Sequence, residues 1–109
     1  MFARIVSMRL KPNSTAEFAQ TIEKKILPIL RKQKGFRDEI TLVAPGGTEA
    51  IAISLWGTRE QADAYDDSCG YAELLRELTN LLAGTLRVRS YDAANSTAHK
   101  NRRATSSVI

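Results

Sequence analysis

The stretch Glu49-Ala50-Ile51-Ala52-Ile53-Ser54-Leu55-Trp56-Gly57-Thr58-Arg59-Glu60-Gln61-Ala62-Asp63-Ala64-Tyr65 decides the fold. Residues 50 to 56 alternate with a period of two, which puts Ile51, Ile53 and Leu55 on one face of a strand and Ala50, Ala52, Ser54 and Trp56 on the other. The large aliphatic face is expected to meet helices as core. The small-residue face then points away from them and leaves volume above the sheet, to be filled by a second subunit, a ligand or both. After Gly57, Thr58-Arg59-Glu60-Gln61 has the form of a capping box, so a helix starts there and runs to about Asp67.

Toward the N-terminus, Asp38 to Ala44 alternates Ile40, Leu42 and Ala44 with Glu39, Thr41 and Val43. It stops at Pro45-Gly46-Gly47, which predicts an antiparallel hairpin with the strand ending at Trp56. Before it, Phe18, Ile22, Ile26, Ile29 and Leu30 form one helical stripe, opened by a second capping box at Ser14-Thr15-Ala16-Glu17 and stopped at Gly35. Pro28 lies inside that helix and predicts a kink or local break, because it removes a backbone donor. Phe2 to Leu10 is half apolar on both faces, as expected of a central strand covered on both sides. Its inward face is not assigned by the pattern.

Toward the C-terminus, Ser68-Cys69-Gly70 interrupts the helix, and Tyr71, Leu74, Leu75, Leu78, Leu81 and Leu82 resume helical spacing before Gly84. Thr85 to Tyr91 alternates Leu86 and Val88 with Thr85, Arg87, Arg89 and Tyr91, a last strand with one basic face. The order β-α-β-β-α-β is an α+β, ferredoxin-like arrangement with an antiparallel sheet and both helices on one face. It occupies residues 1–93. Residues 94–109 form a basic polar tail without periodicity, flexible or ordered only on a partner. Two such sheets meeting through their helix-free faces would close a dimeric α/β barrel, with Arg87, Arg89 and Trp56 lining its interior.

Of the net charge of +4 on 109 residues, Lys100, Arg102 and Arg103 of the tail contribute most. The nearly balanced domain that remains lacks the clustered Lys and Arg that phosphate binding requires, which argues against nucleic acid as a partner. The sequence shows no apolar run of membrane-spanning length and no signal-peptide pattern, so a cytoplasmic location without a membrane partner is expected. A lone Cys69 excludes an intramolecular disulfide and reads as a small buried residue. Neither a phosphate-binding glycine loop nor a nucleophile elbow occurs.

The strand ending in Leu10-Lys11-Pro12 before a helix with Glu17-Phe18, the helix-ending Gly35-Phe36, and the strand ending in Trp56 before Thr58-Arg59-Glu60-Gln61-Ala62 stand in the order and spacing of a known family. Over about residues 2–92 the chain resembles the antibiotic biosynthesis monooxygenase-like family of the dimeric α/β-barrel superfamily. The resemblance implies a homodimer with a pocket in the barrel or between each sheet and its helices. It also implies oxidation of a small aromatic substrate, such as an anthrone or quinol, by O2 with neither metal nor flavin. A haem-degrading branch is disfavoured. Phe2 to Leu10 lacks its asparagine, Tyr65 or Asp66 stands where its ligand histidine would be, and the single His99 lies in the tail.

For such chemistry the candidate catalytic residues are Trp56, as a flat wall with an N–H donor, Tyr65, as a hydrogen-bonding phenol, and Arg87, as a charge that holds an anion. Arg89, Ser54, Tyr71 and Arg4 are candidate substrate-binding residues. Each has a structural alternative: Trp56 as core or interface filler, Tyr65 and Tyr71 as packing residues, the arginines as ion pairs across a dimer. No cofactor or metal site is expected. The competing expectation is a non-catalytic homodimer that binds a small ligand or a partner, because no paired acid and base is apparent.

Overall fold

In the computed structural model, which describes residues 1–95, Leu10 accepts no place in a regular strand but closes one end of the sheet by bridging Leu82. The sheet itself consists of β1 (Phe2–Arg9), β2 (Phe36–Val43), β3 (Glu49–Trp56) and β4 (Arg87–Asp92). Its order is β2-β3-β1-β4, and all neighbours are antiparallel. This is the ferredoxin-like α+β architecture expected from the element order, with β1 central and the β2–β3 hairpin at one side. His99 and the tail from Ser96 onward lie outside the described residues.

The first helical stretch comprises α1 (Thr15–Thr21), a π-helical turn (Ile22–Ile26) and α2 (Leu27–Arg31). Pro28 does not break it. The wider turn gives the Leu27 N–H the Ile22 carbonyl as acceptor, and the chain re-enters the α geometry with proline in the first turn, where its missing donor costs little. The expected Ser14 box is also absent: Ser14 makes no side-chain cap, and Thr15 donates its hydroxyl to Gly47 O at 3.1 Å. The Thr58 box is present, with both bonds at 3.2 Å.

The second stretch divides into α3 (Arg59–Asp66) and α4 (Cys69–Thr79). The break is narrower than Ser68-Cys69-Gly70, because Ser68 caps α4 by accepting from the Tyr71 N–H, so Cys69 and Gly70 are already helical. A Cβ on Gly70 would meet Ile29 Cγ2 at 2.9 Å, so glycine here permits the close approach of α4 to α2. Cys69 is exposed rather than buried.

The helices cover one face of the sheet, and the alternation of β3 is reversed from the expectation. Ala50 and Trp56 are buried under the helices, whereas Ile51 on the opposite face is 39% exposed. Small Ala50 and Ala52 allow the Phe18, Ile22, Ile26 and Leu30 stripe to sit close to the sheet, and Trp56 fills the volume at its end. The same parity buries Phe2, Arg4 and Met8 of β1. The helix-free face carries Ile51, Ile53 and Leu55 beside Ile40 and Leu42, the last two about half exposed.

Candidate functional site

Strand register aligns the helix-covered face in rows. Glu39, Ser54, Arg4 and Ser90 pair in sequence across β2, β3, β1 and β4, a polar row flanked by Thr41, Ala52, Val6 and Val88 on one side and by Phe36, Trp56 and Phe2 on the other. Above this floor lies a cavity of about 60 Å³, roofed by Ile22 and Ile26 of the π turn, by Tyr65 and Asp66 of α3, and by Tyr71, Leu74 and Leu78 of α4. A π turn at a cavity wall is a common feature of binding sites, since it widens the helix locally.

The cavity gathers five of the seven residues singled out from the sequence: Trp56, Tyr65, Ser54, Tyr71 and Arg4. Arg87 and Arg89 are not among them. They pair with Ser7 and Ile5 on the helix-free face, because β4 alternates in phase with β1 and only Leu86 and Val88 turn inward. Arg87 therefore does not reach this cavity from its own chain. The positive charge in the cavity is Arg4, for which the sequence pattern had left both faces open.

Trp56 is 1% exposed and forms the wall of the site. Its ring stacks on Tyr65 at 5.2 Å and meets Phe36 edge-on at 5.6 Å, and Tyr65 meets Tyr71 edge-on at 5.6 Å. The indole N–H is already spent on Ser54 Oγ at 2.9 Å, so Trp56 presents carbon rather than a donor to a ligand. The Ser54 hydroxyl keeps its own proton for donation.

Arg4 is 8% exposed and is held by two carboxylates one helical turn apart on α3, Asp66 through Nη1 and Asp63 through Nη2 at 2.8 Å. Its Nε and the Tyr65 Oη are both buried without a partner among the described residues. A buried donor that the fold leaves without a partner costs stability unless an ordered water or a ligand accepts from it. Burial pushes the Tyr65 phenol well up, helped by the nearby Tyr71 and Asp66, so it remains a neutral O–H. The Tyr71 phenol is also raised, mainly by burial. Burial raises the Asp66 carboxyl as well, against the pull of Arg4.

Two parts of the site escaped the sequence pattern. Glu39 occupies the inward parity of β2, one oxygen held by Thr41 Oγ1 at 2.6 Å, and burial raises its carboxyl above the ordinary value. The Asp63 and Asp66 pair was signalled only by its spacing of three, which places both on one helical face. Among the described residues, no cluster of three or more His, Cys, Asp or Glu side chains is arranged to hold a metal ion.

The ferredoxin-like fold of this chain is shared with solved structures of antibiotic biosynthesis monooxygenase proteins. A Bordetella bronchiseptica protein classed as an antibiotic biosynthesis monooxygenase superposes with a TM-score of 0.78 at 14% identity, covering 86% of this chain and 97% of that one. The ActVA-Orf6 monooxygenase of Streptomyces coelicolor, solved with nanaomycin D, gives 0.77 at 16% identity over 87% and 88%. SnoaB, a cofactor-independent oxygenase of Streptomyces nogalater, gives 0.74 at 16% identity over 87% and 94%. No family model matches the sequence, and no curated protein matches it.

Proposed function

We propose that this protein is a cytoplasmic homodimer that oxidises a small aromatic compound of anthrone or quinol type with O2, without a cofactor. The observation that carries the reading is the pair of unpartnered groups, Arg4 Nε–H and Tyr65 O–H, in a cavity otherwise walled by aromatic and aliphatic carbon. A flat ligand bearing one or two oxygens satisfies both donors while its rings lie against Trp56 and Leu74. The fold shared with two Streptomyces oxygenases supports the same direction.

The chemistry asked of such a site is to bind the conjugate base of the substrate, hold its oxygen and keep bulk water away while it reduces O2. For an anthrone methylene, one oxygen atom enters the carbon as a carbonyl and the other leaves as water with the two hydrogens. Arg4 stabilises the anion by charge, and Tyr65 donates to it as a neutral phenol.

The homodimer reading rests on the helix-free face. Ile40, Leu42, Ile51, Ile53 and Leu55 make an aliphatic surface there, bordered on β4 by Arg87, Arg89 and Tyr91, and a monomer would leave it in water. A second copy packed face to face through this surface closes a barrel outside which each cavity stays with its own helices. Among the described residues, no helix is long and apolar enough to cross a membrane.

A non-catalytic ligand binder is the second reading, favoured by the narrowness of the cavity: 60 Å³ accommodates a few water molecules, and a fused ring system must part α3 and α4 to enter. Oxygen uptake with a panel of anthrones and naphthohydroquinones separates the two. The first reading expects turnover that falls at least tenfold in Arg4→Met. Wild-type protein that binds members of the panel without consuming oxygen establishes the second.

A further inference from the structure

We propose that Glu39 is the general base of the cavity, taking a proton from an acidic C–H of a flat, carbonyl-bearing ligand whose oxygen is held by Arg4 at the other end of the same row. The inference rests on the reading of the cavity as a substrate site and names the group that starts its chemistry. Glu39, Ser54 and Arg4 stand in register on three adjacent strands, all on the helix-covered face, and all three line the cavity. Glu39 and Arg4 are thus two strand spacings apart at the backbone, about 10 Å. Once α3 and α4 part to admit it, that separation suits a fused two- or three-ring ligand lying across Ser54, with an acidic carbon toward Glu39 and its conjugated oxygen toward Arg4.

The other titratable groups of the cavity are poorly suited to accept the proton. Asp66 is bound to the Arg4 guanidinium, and a proton there would break that contact. Asp63, outside the cavity lining, is committed to the same cation. Tyr65 and Tyr71 are held in their protonated forms. Glu39 alone among the lining carboxylates takes part in no ion pair among the described residues. Thr41 fixes its Oε2, which orients the carboxyl and leaves Oε1 for a ligand. Its partial burial makes the carboxylate a better base than one in water, nearer to the working pH of a cell.

In the step itself, the ligand C–H bond breaks, its proton moves to Glu39 Oε1, and the electron pair delocalises through the ring system onto the oxygen facing Arg4. No oxidant takes part. Deprotonation is therefore observable apart from oxygenation, and the two readings can fail independently.

The test uses full-length protein, anthrone as the exchange probe and anthraquinone as a non-exchanging binding probe. Under nitrogen in D2O, proton NMR follows loss of the anthrone methylene signal. Quenching of the single tryptophan, Trp56, reports anthraquinone binding. Wild-type protein is expected to accelerate exchange at least tenfold over buffer, and Glu39→Gln to lower the protein-dependent rate on the order of a hundredfold, with anthraquinone affinity within about threefold of wild type. Glu39→Asp, which keeps the charge but withdraws it by one methylene, is expected to fall between the two. Exchange in Glu39→Gln within threefold of wild type overturns the assignment, and so does wild-type protein that fails to accelerate exchange. Oxygen uptake on the same samples in air is read separately: Glu39-dependent exchange without uptake sinks the monooxygenase reading and leaves the base assignment standing.

Discussion

Replacing Tyr65 by Phe is expected to stabilise the protein while weakening its site. The ring of Tyr65 is tightly used, stacked on Trp56 at 5.2 Å and edge-on to Tyr71 at 5.6 Å, and Phe keeps both contacts. The hydroxyl is different: it is buried and has no hydrogen-bond partner among the described residues. An unsatisfied buried polar group costs about 1–3 kcal/mol, whereas a hydroxyl bonded in the fold would contribute about 1 kcal/mol in the opposite sense. Allowing for water that reaches the cavity, Tyr65→Phe should gain about 1 kcal/mol, a rise in Tm of roughly 4–8 °C for a domain near this size. Urea and thermal unfolding at one fixed protein concentration measure it, since association of any kind makes apparent stability depend on concentration. The ionisation of the phenol adds a second sign. Its folded pKa lies above the ordinary tyrosine value of 10.0, so its contribution is fully present below pH 10 and is lost as pH rises further and the unfolded chain ionises. Tyr65→Phe should therefore lessen the loss of stability above pH 10 without abolishing it, because the Tyr71 phenol is raised as well. A lower Tm in the variant, with the ring contacts intact, would refute the reasoning by showing that the hydroxyl is satisfied in the fold.

Ile51→Glu together with Ile40→Glu should convert the protein to a monomer in sedimentation velocity with its helical circular dichroism retained, because both side chains lie on the helix-free face and neither touches the core; wild-type protein that sediments as a monomer at every concentration contradicts the dimer outright. Thr58→Ala should cost about 1 kcal/mol by removing the α3 cap. Gly35→Ala should cost more, about 2 kcal/mol, since Gly35 has φ +87° and a Cβ there would collide with the Gln61 side chain, which expels the other half of the same cap. The double variant should fall short of the sum by several tenths of a kcal/mol in urea titrations, and full additivity would mean that Gly35 and the cap are independent.

The fold was legible in the sequence because its signals are local and mutually consistent. The Thr58 box, the Gly35 stop, the Pro45-Gly46-Gly47 hairpin and the two helical stripes each fix one boundary, and the β-α-β-β-α-β order leaves one common topology. Two local readings failed for identifiable reasons. Ser14 has the right residue type for a cap, but its backbone, with φ −104° and ψ 1°, is not in the extended conformation that presents the side chain to the N–H groups. At Pro28 the missing donor was read correctly, and the remedy, a π turn upstream, is a choice among backbone geometries that composition does not encode.

The reversed face of β3 is the more instructive failure, because it moved the site. Alternation reports that two faces differ; it does not report which one the helices cover. Assigning the larger aliphatics to the core presumes that only one face is apolar for a structural reason. In this chain both faces are: Ala50, Ala52 and Trp56 because helices press against them, and Ile51, Ile53 and Leu55 beside Ile40 and Leu42 on a surface suited to a second copy. Once the faces of β3 are exchanged, the candidate residues separate into two sets. Arg87 and Arg89 stay on the helix-free face where the alternation of β4 had put them, and Arg4 goes inward with Ser54, Glu39 and Trp56. The decisive clue was already in β1, where Arg4 shares its parity with Phe2, Val6 and Met8. A cation on the most apolar face of a central strand is tolerated only if something pairs with it, and the carboxylates placed to do so, Asp63 and Asp66, follow Trp56 on the helix that crosses that face. A buried charge thus locates the helix-covered side of this sheet more reliably than the size of its aliphatic residues does, and it identifies the cavity at the same time.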